Sequence, residues 1–389
     1  MKLIQEIRRN CRLELRASER ESFIEYHLTA TLSDCNDTAL AALELFQKVA
    51  DALLQHRIQP VQEKLYGLVV VKEMVMEKRD QVLRQRGLDR TMPVTWIEGI
   101  PMDDSDFVGV QIWGIAPRDG EVCVKTVENP VTGRARLWEG RGFSMLHLPA
   151  VRGTLDDGTL AAGRPAQAAQ MFSNVGRGLA AHGFSYPEVG RTWIYVAELL
   201  QWYVEMNGIR TAHYRPAGLG VPGGVAFPAS TGIMGRNGDE ACIMDVLAVK
   251  PTKPGAIAIT PINQSVKQHS SFNYGSSFSR AMSFEIEGRR TVHVSGTASI
   301  NTAGASTHIG DTEHQCLETL LSISAVLAEQ GGSLANITSA TLFCKTREAY
   351  EAWEQTTRLL NLSFIPKVVV LADVCRDDLL VEMEAVAVI

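Results

Sequence analysis

The feature that most constrains this chain of 389 residues is an internal repeat. Leu179, Gly183 and Val189 recur as Leu327, Gly331 and Ile337, all separated by the same 148 positions. At both places an apolar-periodic helix stops at glycine, a short polar turn follows, and a β-branched, aromatic-rich strand begins. The two strands are Arg191–Val196 and Ser339–Cys344. A fainter copy precedes them: a helix over Ala39–His56, a β-rich run over Leu65–Val71, then a charged helix, with no glycine to end the first helix. Each copy reads as strands, helix, strand, helix, strands, so the expected fold is α+β, with helices packed on one face of mixed sheets. Three such units in one chain make a pseudo-trimer.

Turn-rich stretches divide the copies near Pro117–Gly120 and at Pro251–Gly255, where two prolines cannot donate to a ladder. The expected domains are 1–117, a degenerate copy, 118–252 and 253–389. The length suits several cores of ordinary size, and 45% hydrophobic with 21% charged residues is an ordinary globular mix.

A formal net charge of −6 argues against a nucleic-acid partner. Arg8, Arg9, Arg12 and Arg16 form the one basic cluster, interrupted by Glu6, Glu14, Glu19 and Glu21, and read as a solvated helix face. Seven cysteines without paired spacing suit reduced thiols in a cytoplasm. No apolar stretch reaches the roughly 18 residues a membrane span needs, and the start of the chain lacks a signal-peptide core. The expectation is a soluble, cytoplasmic protein with no membrane partner.

Gly218–Gly223 fits G-x-G-x-x-G, but a strand-like Val225–Phe227 follows instead of a helix, so it reads as a loop and not a dinucleotide site. The nine histidines show no metal-ligand spacing, and no nucleophile elbow is visible.

From Tyr274 onward the chain resembles the RidA/YjgF family, in Tyr274-Gly275, Phe278–Ala281, Val294–Ile300, Gln315–Leu320, Gly331 and Val381–Ala385. Within that superfamily it looks like the chorismatases, which hydrolyse chorismate to pyruvate and a diol or a hydroxybenzoate. The words that carry this are Ser295–Ile300, Leu371–Arg376 with Asp378–Leu380, Arg191–Tyr195, Tyr203 with Asn207 and Arg210, and Pro228–Gly232. Met206 stands where phenylalanine is expected, Trp202 replaces a charged neighbour, and the first 90 or so residues match nothing in that family.

Cleaving an enol ether requires protonating its terminal carbon, so the site needs a carboxylic acid that keeps its proton near neutral pH. Glu382 and Glu384 alternate on one face of the last strand, where burial or a carboxylate neighbour raises such a pKa. Without the resemblance both would simply face solvent at an edge strand. With it, Glu382 is the general acid. A dianionic substrate calls for guanidinium groups. Arg210, one turn after Asn207, is the first candidate, with Arg280, Arg376 and Arg191 behind it. Tyr203 and Tyr274 are candidate hydrogen-bond donors to a carboxylate, and Ser295, Gly296 and Thr297 let a ligand approach the backbone. Cys375 matches the position where a cysteine accompanies hydroxybenzoate products, the 3-isomer foremost.

The resemblance thus implies a cleft between the second and third units, with Arg210 and Tyr203 on one side and Glu382, Cys375, Arg376 and Ser295 on the other. Proton transfer and water suffice, so no cofactor or metal is implied. The partner is a small molecule, and the chain is expected to be a monomer or a weak dimer. An imine-hydrolysing RidA-type enzyme is the first alternative. It needs an arginine two residues after a proline, and Val368 stands there after Pro366. A non-catalytic, ligand-binding member is the second, and an RNA-cleaving activity ranks last.

Overall fold

The computed structural model describes residues 2–8, 11–33 and 35–389. The first sheet begins with β1 (Lys2–Arg8), β2 (Cys11–Glu19) and β3 (Phe23–Leu32). Helix α1 (Thr38–Gln55), β4 (Gln59–Gly67), α2 (Lys72–Gln85), β5 (Thr95–Glu98) and β6 (Phe107–Pro117) complete it. The second comprises β7 (Cys123–Asn129), β8 (Gly133–Gly140), β9 (Phe143–Arg152), α3 (Arg164–Ala180), β10 (Val189–Val196), α4 (Leu199–Tyr214), β11 (Ala229–Met234) and β12 (Cys242–Pro251). The third comprises β13 (Ala258–Ile262), β14 (Ala281–Ile286), β15 (Arg289–Ala298), α5 (Thr312–Glu329), β16 (Ile337–Cys344), α6 (Arg347–Leu359), β17 (Lys367–Leu371) and β18 (Val381–Val388).

The three six-stranded sheets share one order. The third runs β13-β14-β15-β18-β16-β17, and the others follow it strand for strand. In each, the last strand sits in the middle and the edge strand β5, β11 or β17 pairs parallel to β4, β10 or β16. This is the α+β pseudo-trimer that the repeat predicts. Strands β10 and β16, and helices α3 and α5, begin 148 positions apart.

Each repeat turn is built the same way. The amide of Gly183 donates to Ala180 O and that of Phe184 to Leu179 O; Gly331 and Gly332 repeat this to Ala328 and Leu327. Both glycines take the positive φ that closes the helix, 69° and 80°. In the first sheet Arg57 makes the same bond to Leu54 O and Ile58 the one to Leu53 O, with Arg57 itself at φ 53°. The fainter copy keeps the turn and loses only its glycine.

Cores form at two levels. Each pair of helices seals one face of its own sheet, as when α5 and α6 bury Cys316, Leu320, Ile323 and Trp353 against Leu342 and Met383. The other faces of all three sheets meet in one shared core containing Trp113, Trp138, Trp193, Phe284 and Phe343.

Three expectations need correction. The basic cluster is not a helix: Arg8, Arg12 and Arg16 lie in β1 and β2, and Arg9 lies outside the described residues. Leu13 and Leu15 alternate into the core, a period of two that sets a strand, and Arg16 is buried with its guanidinium donating to Phe364 O at 2.7 Å. The run Leu65–Val71 leaves the sheet at Gly67, and Val69–Val71 form a 3₁₀ turn. No strand covers Val225–Phe227; the glycine-rich segment folds on itself, Gly220 donating to Val225 O and Val225 to Gly218 O. No helix among the described residues is long and apolar enough to cross a membrane.

Candidate active site

The second and third sheets join where β11 runs past β15. The amide of Ser279 donates to Pro228 O and that of Ser230 to the hydroxyl of Ser295. Beside this seam lies a small cavity. Helix α4 lines it with Tyr203 and Arg210, β11 with Ser230 and Gly232, and β15 with Gly296 and Ala298. The segment before β14 contributes Tyr274, Phe278 and Arg280; the loop before β18 contributes Cys375 and Arg376; Glu382 comes from β18 itself.

Glu382 has only 4% of its surface exposed, and among the described residues no donor reaches its carboxylate. Burial, with Glu384 adding like-charge repulsion, pushes its carboxyl up to about 8 although Arg191 opposes the shift. It is therefore a carboxylic acid that holds its proton at neutral pH. Gly296 makes room for it: a Cβ there would lie 2.0 Å from Glu382 Oε1.

Three guanidinium groups line the same cavity, each held by the chain. Arg210 donates to Asn207 Oδ1 and, at 3.5 Å, to Ser230 Oγ, while its buried Nε has no partner. Arg280 donates twice to His269 O, at 3.0 and 2.8 Å. Arg376 donates to Gly304 O at 2.7 Å. The Tyr274 ring stands 5.5 Å from both Arg280 and Arg376. Gly304 is required beside it, since a Cβ there would strike that ring at 2.2 Å. The arginine loop is fixed from α5: Gln315 donates to Asp378 O and accepts from the Leu380 amide. Burial raises the hydroxyls of Tyr203 and Tyr274 above their ordinary values and pushes the Cys375 thiol up to about 12. All three stay protonated at neutral pH, as hydrogen-bond donors and not as nucleophiles.

Of the residues singled out from sequence, Glu382, Cys375, Arg210, Tyr203, Tyr274, Arg280, Arg376 and Gly296 converge on one cavity. Asn207 stands behind it, orienting Arg210. Ser295 and Thr297 do not line it: the Ser295 hydroxyl is spent on the seam, donating to Ser279 O, and Thr297 donates back to Ser295 O. Glu384 also turns away. Its carboxylate accepts from Arg191, Thr231 and Thr341 at 2.7, 2.5 and 3.1 Å, with Lys64 at 3.6 Å, in a second cavity on the pseudo-threefold axis. Burial is the reason: β18 lies in the middle of its sheet, so neither glutamate faces solvent, and the two enter different cavities. Arg191 belongs with Glu384. Ser230, Gly232 and Phe278 line the site without having been singled out, though the words containing them were. Met206 and Trp202 pack in the core under the second sheet.

Register shows that the acid occurs once. Glu382 pairs with Phe343; the matching pairs are Ile243 with Tyr195 and Gly109 with Tyr66. Neither equivalent carries a carboxyl group. Among the described residues no cluster could hold a metal ion.

A family model described as Endoribonuclease L-PSP matches residues 275–389. A solved chorismatase structure superposes with a TM-score of 0.58 at 18% identity, covering 84% of this chain and 92% of that one. Yeast Mmf1 is 19% identical over 34% of this chain and 98% of its own, with a TM-score of 0.28. A YjgF-family protein, NMB1025 of Neisseria meningitidis, is 19% identical over 34% and 94%, with a TM-score of 0.26. No curated protein matches in sequence. Residues 275–389 thus match the Endoribonuclease L-PSP family model, and across most of its length the chain has the fold of the solved chorismatase.

Proposed function

We propose that the chain hydrolyses the enolpyruvyl ether of chorismate, releasing pyruvate and a hydroxybenzoate. The observation that carries this is a protonated carboxylic acid, Glu382, enclosed with three arginines in one cavity. In this reading Arg210, Arg280 and Arg376 take the two carboxylates of the substrate, and Tyr203 and Tyr274 donate to them. Glu382 then protonates the terminal methylene carbon of the enol ether. The adjacent carbon becomes oxocarbenium-like, water adds to it, and the hemiketal collapses to pyruvate and the ring diol; the diol's other hydroxyl then leaves as water while the carbon bearing the remaining hydroxyl loses its hydrogen as a proton, which aromatises the ring to the hydroxybenzoate. The proton that water loses restores Glu382, so no cofactor takes part. The neutral Cys375 thiol beside the acid is the reading's basis for a hydroxybenzoate, the 3-isomer, instead of a diol. Domain limits of 1–117, 118–252 and 253–389 go with it, the catalytic cleft lying between the last two.

An imine hydrolase has less support, because Val368, where its arginine would stand, is fully buried in the shared core. The test is to incubate the purified chain with chorismate, couple pyruvate to lactate dehydrogenase, identify the ring product by chromatography, and repeat with Glu382→Gln. Pyruvate with 3-hydroxybenzoate, lost in the variant, is the expected result. A diol would reject the product, and no pyruvate would reject the reaction.

A further inference from the structure

The cleft between the second and third sheets has a counterpart between the third and the first. There α6 and β17 stand where α4 and β11 do, and β3 with the loop before β6 stands where β15 and the loop before β18 do. This counterpart is a cavity of ≈ 300 Å³, at the lower end of ligand sites.

Its shape is inherited and its chemistry is not. Tyr350 and Glu354 lie four apart on α6, as Tyr203 and Asn207 do on α4. Thr357 then matches Arg210, and its hydroxyl turns back to donate to Trp353 O at 2.9 Å. Lys367 pairs with Ala340 as Ser230 pairs with Thr192, three positions before Phe343 and Tyr195, which the register already matches. The arginine that suits a dianion is gone, and an ammonium and a carboxylate stand where Ser230 and Asn207 do.

Lys367 and Glu354 converge on one point. Their Nζ and Oε1 are 3.0 Å apart, with 12% and 29% of the two side chains exposed. They are not aligned for a hydrogen bond, and the buried Glu354 Oε1 accepts none. Burial, with the Glu354 charge adding to it, pushes the Tyr350 hydroxyl up to about 12, so it remains a donor. On the opposite wall Arg12 and Glu14 form a second ion pair, and Thr29, 4% exposed, brings a hydroxyl with no partner among the described residues.

The charges in and beside the cleft balance. Arg12, Lys367 and Arg16, which reaches from β2 to Phe364 O, stand against Glu14, Glu354 and Asp103. Between them the walls are apolar, with Leu32, Met102, Val108, Ile365 and Val369. A dianion brings two charges that this balance leaves unmatched. A ligand with one charge of each sign keeps the balance: its carboxylate accepts from Lys367 and Tyr350, and its ammonium donates to Glu354.

We propose that this cleft binds a free α-amino acid with an apolar side chain, its charged head on the Lys367–Glu354 pair and its side chain against the apolar walls. The site is independent of the chorismate reaction, since it shares no lining residue with the catalytic cleft.

Titration calorimetry on the full chain, with L-leucine and L-phenylalanine as probes, is expected to show one saturating site for at least one of them. Isopentylamine and isocaproate, or phenethylamine and hydrocinnamate, keep the side chain and lack one charge, and are expected to bind roughly tenfold or more weakly. Lys367→Met and Glu354→Gln should each weaken binding by a similar factor, whereas Arg210→Ala, in the other cleft, should leave it unchanged. Crystals of the unsubstituted chain soaked with the amino acid should show it on Lys367, a result that does not depend on how the variants fold. No saturating heat with either amino acid, an analogue lacking one charge that binds as tightly, or binding lost in Arg210→Ala and kept in Lys367→Met would overturn the proposal.

Discussion

At the residue scale the site turns on one proton. In the proposed reaction Glu382 acts as an acid only while protonated, and burial pushes its carboxyl up to about 8. The rate constant kcat/KM for pyruvate release should therefore be flat near neutral pH and fall about tenfold per unit above pH 8. A pH–rate profile checks it; a fall already complete by pH 6 would mean that another group limits the rate. Glu382→Gln should cost roughly 10²–10⁴ in kcat, the usual contribution of a general acid. The same residue makes a stability prediction of definite sign. Between the unfolded value near 4.3 and the native value, the folded chain binds more protons than the unfolded one, so stability drops as pH rises through that window. Glu382→Gln removes this dependence and should be more stable than the parent at pH 9, by on the order of a few kcal/mol, in urea melts at pH 6 and 9. Gly296→Ala should fold, because φ there is not positive, yet lose at least tenfold in activity as its methyl displaces the Glu382 carboxyl. Much of this was legible in the sequence: the eight residues that converge all fall in the words quoted for the family resemblance. What was not legible is which side of the strand wall each side chain takes. Ser295 and Gly296 are neighbours, and only the glycine borders the cavity. Glu382 and Glu384 share one face of β18, and the seam at Thr231 separates them into two cavities.

At the element scale the repeat turn is the unit of construction, and it was legible because glycine marks it. Leu179–Gly183 and Leu327–Gly331 show the helix end in plain letters, whereas Arg57 hides the same turn behind a residue that resists it. A non-glycine residue in the left-handed region costs about 1–2 kcal/mol, partly offset by the freedom glycine has in the unfolded chain. Arg57→Gly should therefore raise stability by about 0.5–1 kcal/mol, and Gly331→Ala should lower it by about 1 kcal/mol or more. Denaturant melts of the two variants side by side test the equivalence; a destabilised Arg57→Gly would show that the arginine side chain contributes more than its backbone costs. The misread basic cluster has the opposite cause. Charges at Arg8, Arg12 and Arg16 suggested an exposed helix, while the buried side chains of Leu13 and Leu15 set the strand, and Arg16 reaches across to Phe364 of the third sheet. Charge spacing carries less structural information than apolar spacing when the charged groups themselves have partners inside.

At the scale of the whole molecule, three sheets from one chain enclose an interior with no free face. The shared core takes residues from all of them, and the axial groups Lys64, Arg191 and His293 come one from each. Separate chains of this kind must associate to bury such faces, but here the covalent chain supplies all three, so nothing in the core calls for a second copy. The degenerate first copy fits this arrangement. With Gly109 and Ile243 at the positions matching Glu382, neither it nor the second sheet carries the carboxyl group on which the proposed reaction depends. The expected solution state is thus a monomer of 42.6 kDa. Light scattering across a concentration series should give that mass throughout. A stable trimer would mean that the outer, helix-covered surface carries an interface of its own; a concentration-dependent dimer would point to the open edge strands β1, β7 and β13, whose outer ladder groups pair with no other strand among the described residues.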